Sequence, residues 1–334
     1  MKIHEKYINR CIEIAKNGLG TTRPNPMVGC VIVRNDQVIG KGFTSPFGGP
    51  HAEVNAINSV KDESLLKEST LYVTLEPCSH FGKTPPCSDL IIDKGIPQVV
   101  IGTIDTHSKV AGKGIEKLMR AGCDVVVGVL EKECQEHHKR FFTFHNKQRP
   151  YIILKWAQSA DGFLSPSEKD EKKPVWITNS YSRQLVHKWR TEEHAILVGY
   201  NTVIEDNPSL TARDWKGLNP IRVVLDKFNS LEKSFDIFNN EANTIIVSDK
   251  DIDFNKKPIE QLAQLLFQKE IQSIIIEGGS KTLQMFLDEG LWDEARIFIG
   301  QNSFVNGTLA PQFTGSLISE HKILGDTLKI FNND

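Results

Sequence analysis

Two hydrophobic patterns alternate along roughly the first 130 residues: stripes with helical spacing, and short, nearly continuous apolar runs. The stripes predict amphipathic helices, and the runs predict strands. In chain order the predicted elements are a helix at 3–16, strands at 28–33 and 38–42, a helix at 51–60, a strand at 71–75, a helix at 87–94, a strand at 99–103, a helix at 114–121, a strand at 124–128 and a charged helix at 131–139. This alternation predicts a mostly parallel sheet with helices on both faces.

A second α/β series begins after Arg149-Pro150, where we place the domain boundary. Its predicted strands lie at 151–156, 195–198, 221–225, 244–247, 273–277 and 295–299, and its helices at 180–189, 259–269 and 280–289. The polar segment 165–173 is expected to be a mobile loop. A chain of 334 residues is long enough for two cores, so we predict two α/β domains, 1–147 and 148–334.

Charge and hydropathy argue against several classes of protein. With 40 Lys and Arg against 42 Asp and Glu, the net charge of -2 offers no general attraction for nucleic acid or anionic lipid. No apolar run reaches the ~18 residues that cross a bilayer. Charged residues interrupt any signal-peptide core near the start of the chain. We therefore expect a cytoplasmic protein with no membrane or nucleic-acid partner, and the sequence leaves open whether it forms a homo-oligomer.

Six cysteines in so long a chain are too few for a disulfide scaffold, so a functional Cys is expected to be a metal ligand or a nucleophile. His51-Ala-Glu53 opens a predicted helix, Cys78 follows a predicted strand, and Cys87 opens another helix after two prolines. Side chains at i and i+2 point apart in mid-helix, so His51 and Glu53 can share a site only if that site lies beyond the helix's N-terminal end.

One imidazole and two thiolates give zinc three protein ligands and leave a fourth position for water, as in catalytic sites. We therefore predict one zinc ion per chain on His51, Cys78 and Cys87. Glu53, beside the metal, is expected to carry the proton from the zinc-bound water to the ring nitrogen and the leaving ammonia. Taken singly, a His-x-Glu is common by chance and an isolated Cys is usually a small buried hydrophobe. The remaining cysteines lack such a context and are expected to fill the core or surface: Cys11, Cys30, Cys123 and Cys134.

Gly278-Gly279-Ser280 follows a predicted strand and opens a predicted helix. Free backbone N–H groups and the helix dipole at such a turn can hold a phosphate, although a glycine pair alone also suits an ordinary tight turn. The chain has no Gly-x-Gly-x-x-Gly segment, so a Rossmann dinucleotide domain is unsupported.

His51-Ala-Glu53 with Pro77-Cys78 resembles the cytidine deaminase superfamily, with eight residues between the two cysteines in place of the usual two. The longer segments 23–29 and 76–87 resemble the deaminase domain of the RibD family of bifunctional riboflavin-biosynthesis enzymes. The resemblance implies a three-layer, cytidine deaminase-like domain that deaminates a diaminopyrimidine ribosyl phosphate. It also implies zinc on His51, Cys78 and Cys87, with Glu53 as the proton shuttle.

Two residues of these segments are candidates for substrate contacts. The Asn25 amide suits a pyrimidine edge, and the Lys83 ammonium can meet a ribose phosphate as a point charge. The alternative for Lys83 is a solvated loop lysine. Segment 104–114 resembles the family's substrate-side loop, with His107 where an Asn is expected.

The second half resembles the reductase domain of the same family, which has a dihydrofolate reductase-like α/β fold and uses NADPH. The segments that carry this resemblance are 155–162, 176–178, 194–199, 202–208, 210–211 and 277–279. The residues implied to hold NADPH are Ala157, Trp176, Thr202, Asp206, Gly279, Ser280, Lys281, Thr282, Leu283, Gln284 and Met285. Those implied to hold substrate are Arg190, Leu210, Arg213 and Glu277, with the arginines on its phosphate. The chain departs from the family pattern at 172–175 and 301–306.

The leading hypothesis is a bifunctional enzyme, a hydrolytic zinc deaminase followed by an NADPH-dependent sugar reductase. One alternative is a deaminase of another base or nucleoside with an inactive second domain. The other is a pseudoenzyme whose zinc is structural and whose domains only assemble partners.

Overall fold

The computed structural model describes residues 2–81, 85–106, 112–168 and 175–333. The chain folds into two structural units, Met1–Lys147 and Gln148–Asp334. Within the described ranges, no helix is both long and apolar enough to cross a membrane.

The first unit contains a five-stranded sheet in the order β2-β1-β3-β4-β5. Its elements are α1 (Lys2–Ala15), β1 (Gly29–Arg34), β2 (Gln37–Phe43), α2 (Ala52–Asn58), β3 (Thr70–Leu75), α3 (Cys87–Asp93), β4 (Gln98–Thr103), α4 (Lys113–Arg120), β5 (Asp124–Val127), α5 (Glu131–His137) and α6 (Lys139–Lys147). β3, β4 and β5 are parallel, whereas β1 is antiparallel to both β2 and β3. The prediction of a mostly parallel sheet is therefore wrong for the β1–β2 side.

The two-residue turn between β1 and β2 explains this difference. Asn35 and Asp36 both have positive φ, 48° and 59°. A two-residue turn of that type has a twist that suits an antiparallel hairpin, and Asn and Asp tolerate positive φ better than most residues.

The strand pleat sends alternate side chains to opposite faces of this sheet. Leu71 and Val73 of β3 pack in a core with α2, α3 and α4, whereas Tyr72 packs in a second core with α1 and α5. Helices therefore cover both faces, which confirms the predicted three-layer arrangement.

The second unit is built on an eight-stranded sheet in the order β10-β9-β8-β11-β6-β12-β15-β14. Its elements are β6 (Tyr151–Gln158), β7 (Phe163–Pro166), α7 (Ser180–Glu192), β8 (Ala195–Gly199), α8 (Tyr200–Asp206), β9 (Ile221–Leu225), β10 (Thr244–Val247), α9 (Pro258–Gln268), β11 (Ser273–Gly278), α10 (Ser280–Asp288), β12 (Glu294–Ile299), β13 (Gly307–Leu309), β14 (Ser316–Ile323) and β15 (Asp326–Asn332). The first six strands in this sheet order, β10-β9-β8-β11-β6-β12, are parallel, so their carboxyl ends lie at one edge of the sheet.

The second unit contains several elements that were not predicted, among them the helix α8 (Tyr200–Asp206). Residues 163–166, partly expected to be loop, form β7, which pairs with β13; residues 169–173 lie outside the described ranges. The antiparallel strands β14 and β15 were not predicted, because β14 is exposed along most of its length and so carries no apolar run.

Candidate functional site

The three predicted metal ligands of the first unit lie at the ends of secondary-structure elements. His51 is the N-cap of α2, and its extended backbone (φ -71°, ψ 166°) precedes the first helical turn. Cys78 follows the carboxyl end of β3, and Cys87 is the first residue of α3, after Pro86 at the N-cap. Each side chain is therefore fixed by a local boundary that the sequence specifies.

The ligand atoms of His51, Cys78 and Cys87 all lie within 4.8 Å of one another. His51 Nδ1 is 3.7 Å from Cys78 Sγ and 3.4 Å from Cys87 Sγ. A tetrahedral zinc with ordinary Zn–S and Zn–N bond lengths separates such N and S atoms by ~3.6 Å. The donor set and its spacing therefore fit zinc.

Hydrogen bonds shift the pKa values of the two thiols in opposite directions. The thiol of Cys87 donates to Cys78, which lowers the pKa of Cys78, and the same contact, with burial, raises the pKa of Cys87. Cys78 Sγ also accepts the backbone N–H of Cys87 at 3.3 Å. The hydrogen bond with Cys78 raises the pKa of His51. A divalent cation between these atoms would stabilise both sulfurs as thiolates.

Glu53 lies in the first turn of α2 and is only 4 % exposed. Burial, and next the negative charge at Cys78, raise the pKa of its carboxyl to about 7. A group with that pKa both accepts and releases a proton at neutral pH, which suits a proton shuttle beside the ligand cluster.

Glu76, which the sequence analysis did not single out, connects the end of β3 to the segment after β4. Its carboxylate accepts four backbone N–H bonds of 2.9–3.4 Å, from Asp105, Gly112, Gly114 and Ile115. A Cβ at Gly114 would lie 2.0 Å from the carbonyl oxygen of Pro77, so these two backbone segments approach too closely for any residue other than glycine at this position. The available signal was an acidic residue directly after a buried strand.

The proposed substrate contacts of the first unit are only partly described. Asn25 is half-buried, and its backbone N–H donates to the Thr22 carbonyl at 3.0 Å. The carbonyl of nearby Met27 lies 2.8 Å from His137 Nε2, which ties this segment to α5. Lys83 and His107 lie outside the described residues.

In the second unit, the carboxyl ends of β6, β11, β8 and β9 border a cavity of about 740 Å³. That volume lies within the ~300–1,000 Å³ typical of cofactor sites. The predicted cofactor residues in its lining are Ala157, Thr202, Asp206, Gly279, Ser280, Lys281, Thr282, Leu283 and Met285. Two lie outside the described lining: the Gln284 amide donates to Asp288, and Trp176, 56 % exposed, stacks with the guanidinium of Arg183.

The glycine pair lets the cavity reach the start of α10. Gly278 has a φ of 124°, which disfavours a side chain, and a Cβ at Gly279 would lie 3.3 Å from Thr202 Oγ1. α10 begins at Ser280, so the N–H groups of its first turn have no partner within the helix. The resulting backbone cradle fits a phosphate of a dinucleotide.

Two of the predicted substrate residues, Arg190 and Glu277, bind each other. Arg190 donates to both carboxylate oxygens of Glu277, at 2.7 and 3.1 Å, and to the carbonyl of Thr211 at 3.0 Å. Lys155 Nζ lies 3.9 Å from the same carboxylate. Despite its burial, these cations lower the pKa of Glu277 to about 2, chiefly through Arg190 and then Lys155. Glu277 and Lys155 line the cavity.

The other two predicted substrate residues lie outside the described lining of that cavity. Leu210 is 3 % exposed and packs in a core with Val203. Arg213 is exposed; its side chain contacts Ser209, and its backbone N–H donates to His187 Nδ1 at 3.1 Å. The structure therefore places Arg213 on an exposed loop segment that contacts His187 of α7.

Sequence reasoning also missed the turn after β9, where Asp226, Lys227 and Phe228 line the cavity. Polar residues directly after a parallel strand were the available signal. Of the two departures from the family pattern, 172–174 lie outside the described residues. At 301–306, the N–H groups of Phe304 and Val305 donate to the Asp161 carboxylate.

Two family models match the chain, one in each structural unit. The cytidine and deoxycytidylate deaminase zinc-binding region matches residues 1–103, and the RibD C-terminal domain matches residues 150–314.

Similar proteins align over nearly the whole chain. The riboflavin biosynthesis protein RibD of Aquifex aeolicus is 41 % identical over 314 residues, which is 89 % of this chain and 87 % of that protein. The crystal structure of a diaminohydroxyphosphoribosylaminopyrimidine deaminase/5-amino-6-(5-phosphoribosylamino)uracil reductase from Thermotoga maritima has a TM-score of 0.92 at 36 % identity, covering 100 % of this chain and 99 % of that one. RibD of Acinetobacter baumannii has a TM-score of 0.87 at 30 % identity, with the same coverage.

Proposed function

The chain belongs to the RibD family, and we propose that its two units catalyse successive steps of riboflavin biosynthesis. In this proposal the first unit hydrolytically deaminates 2,5-diamino-6-(5-phosphoribosylamino)pyrimidin-4-one. The second unit reduces the ribosyl group of the deaminated product to ribityl with NADPH. The observation that carries the proposal is the cluster of His51, Cys78 and Cys87 beside buried Glu53, in a chain whose other unit has a cavity of about 740 Å³ bordered by the ends of four strands.

In the deaminase unit, His51, Cys78 and Cys87 hold the metal. Zinc at such a site makes water acidic enough to act as a nucleophile near neutral pH. Glu53 takes up the proton that the attacking water loses and delivers it to the departing amino group. A C–O bond forms at the pyrimidine carbon, the C–N bond breaks, and ammonia leaves. Burial of Glu53 raises its pKa to about 7, which suits both transfers.

In the reductase unit, the residues of the cavity bind and orient. NADPH would supply the hydride that, together with a proton for the nitrogen, converts the open-chain imine at ribosyl C1 into the CH₂ of a ribityl chain. The cradle at Gly279 and the start of α10 holds a phosphate of the cofactor. Glu277 and Lys155 place a negative and a positive charge side by side at the cavity wall, where β11 and β6 end. Arg213, exposed on the loop segment that contacts α7, is proposed to meet the substrate phosphate.

The test is to follow ammonia release and NADPH oxidation together in the zinc-loaded chain, supplied with the undeaminated substrate. Both signals are expected. Ammonia without NADPH oxidation would contradict the reductase half, and release from cytidine or adenosine instead would favour a different deaminase.

A variant separates the two sites. Glu53→Gln is expected to retain zinc and lose ammonia release, while NADPH-dependent reduction of already deaminated substrate continues at the wild-type rate. Equal loss of both activities would contradict two independent sites. Four points stay predictions: the cytoplasmic location, the absence of a nucleic-acid partner, the formation of a homo-oligomer and the role of each site residue.

A further inference from the structure

Two side chains of α7, one helical turn apart, hold the loop segment that carries Arg213. Arg190 donates to the carbonyl of Thr211 at 3.0 Å, and His187 Nδ1 accepts the backbone N–H of Arg213 at 3.1 Å. Residues three apart lie on the same face of a helix, so His187 and Arg190 can bind neighbouring positions of one segment. The loop backbone is therefore fixed on both sides of Ala212.

Arg190 also connects this loop segment to the cavity of the second unit. The same guanidinium donates to both carboxylate oxygens of Glu277, which lines the cavity. The Arg190 side chain is largely buried, so packing holds it in place. One side chain thus bridges the cavity wall and the loop, and the loop lies next to that wall.

The contact with Arg213 specifies the protonation state of His187. A backbone N–H can only donate, so Nδ1 must be the acceptor and the single proton of the neutral ring is on Nε2. Nε2 lies 3.5 Å from a carboxylate oxygen of Asp214, which favours this tautomer. An imidazolium carries a proton on both nitrogens and cannot accept the Arg213 N–H. The contact therefore exists only while His187 is neutral.

The surroundings of His187 favour its neutral form. Burial, the largest cause, lowers the pKa of the imidazole below its usual value, and the cation Arg190 is the next cause. Among the other charges that face the ring, Arg213 lowers the pKa, whereas Asp214 and Glu277 raise it. The acceptor is therefore present at neutral pH and is lost as the pH falls through the lowered pKa.

We propose that His187 is a positioning residue of the reductase, which holds the Arg213 backbone through Nδ1 and so aims that guanidinium at the substrate phosphate. The inference rests on the proposed function, because it assumes that Arg213 meets this phosphate. A loop that is already fixed loses less conformational entropy when its arginine binds. Loss of the contact therefore weakens substrate binding and leaves hydride transfer in the bound complex unchanged.

The experiment is to measure kcat and KM for the deaminated substrate by NADPH oxidation, on the full zinc-loaded chain at pH 8. His187→Leu removes the acceptor and is expected to raise this KM about threefold to tenfold, the usual effect of one lost hydrogen bond, with kcat unchanged. The KM for NADPH is expected to stay the same. A deaminated substrate without the phosphate is expected to have the same KM in wild type and His187→Leu.

Two amide substitutions form a matched pair. Asparagine places its Oδ1 where histidine has Nδ1, whereas glutamine places its amide near the position of Nε2. His187→Asn is therefore expected to keep a KM near that of wild type, and His187→Gln to resemble His187→Leu. Gln184→Ala, at an exposed position one turn earlier on α7, serves as the control and is expected to change neither kinetic constant.

The pH dependence gives an independent readout. In the wild-type chain the KM for the deaminated substrate should rise as the pH falls from 8 to 5, because protonated His187 releases the Arg213 N–H. The substrate phosphate also takes up a proton near about pH 6, and that contribution is common to all variants. The rise should therefore be smaller in His187→Asn, whose side chain does not titrate in this range.

An unchanged KM in His187→Leu, beside a raised KM in Arg213→Ala, would overturn the inference and leave the phosphate contact of Arg213 standing. Equal KM increases in His187→Asn and His187→Gln would overturn it too, because the position of the acceptor would then not matter. The same pH dependence in wild type and His187→Asn, or a raised KM for the substrate without phosphate in His187→Leu, would also overturn it. An unchanged KM in Arg213→Ala, or a wild-type chain that does not oxidise NADPH, would overturn the inference together with that part of the proposed function.

Discussion

Replacing Glu277 by Gln tests how the charges under the reductase cavity are balanced. The substitution keeps the shape of the side chain and removes its negative charge. Two largely buried cations then lose their counter-charge: Arg190, which donates to both carboxylate oxygens, and Lys155, whose Nζ is 3.9 Å away. An uncompensated charge in such a place is costly, because little water can reach it.

The pKa of Glu277 provides the magnitude. It falls from 4.5 to about 2, and at about 1.4 kcal/mol per pH unit the ionised form stabilises the fold by about 3 kcal/mol. Breaking a buried ion pair from one side typically costs about 3–5 kcal/mol, which agrees. In a unit of this size the melting temperature should fall by roughly 6–12 °C.

The sign of the pH dependence follows from a pKa that is lower in the folded state than in the unfolded chain. The stabilisation is fully present above pH 4.5 and is lost as the pH falls toward about 2. Urea unfolding and calorimetry between pH 3 and pH 7 should show this loss in the wild-type chain and a flatter curve in Glu277→Gln.

A second substitution distinguishes charge from packing. Adding Lys155→Met to Glu277→Gln removes one of the uncompensated cations and should recover part of the lost stability. Glu277→Gln as stable as wild type at pH 7, or a double variant less stable than the single one, would refute the reasoning.

Three further predictions concern the two sites and the first unit. Cys87→Ala should lose zinc, as measured by metal analysis, and lose ammonia release while still binding NADPH; the control Cys123→Ala should retain zinc, and zinc-loaded Cys87→Ala would contradict the ligand set. Burial lowers the pKa of His137 to about 4, so acidification from pH 6.5 to 4 should lower the free energy of unfolding by about 3 kcal/mol. This pH dependence should weaken in His137→Gln. The same pH dependence in both chains, measured by urea unfolding, would contradict the prediction. Arg213→Ala should raise the KM for the reductase substrate about tenfold and leave ammonia release unchanged; an effect confined to ammonia release would contradict the proposed contact of Arg213 with the substrate phosphate.

The metal-ligand cluster could be predicted from the sequence because each of its members lies at a local boundary. His51 caps a helix, Cys78 follows a buried strand, and Cys87 starts a helix after prolines. Apolar periodicity and capping residues specify such boundaries over a few positions of the chain. The carboxyl ends of parallel strands then meet at one sheet edge, which brings the ends together.

Pairing between distant residues was decided only by the tertiary structure. The family resemblance implied that Arg190 and Glu277 hold the substrate, and the fold places them in one largely buried ion pair, 87 positions apart in the chain. Glu76 likewise binds N–H groups at least 29 positions away. No local pattern encodes these contacts, because they depend on strand order and on which groups burial deprives of water.

The length of the cavity was also decided by strand order. The sequence indicated a phosphate cradle at Gly278-Gly279, but the position of the β9 turn relative to it depends on β8 and β9 lying next to β11 in the sheet. Sequence thus determined the elements and the residues at their ends, through propensity and hydrophobic period. Tertiary structure decided which ends are neighbours and which charges face each other, because sheet order and burial are properties of the whole folded unit.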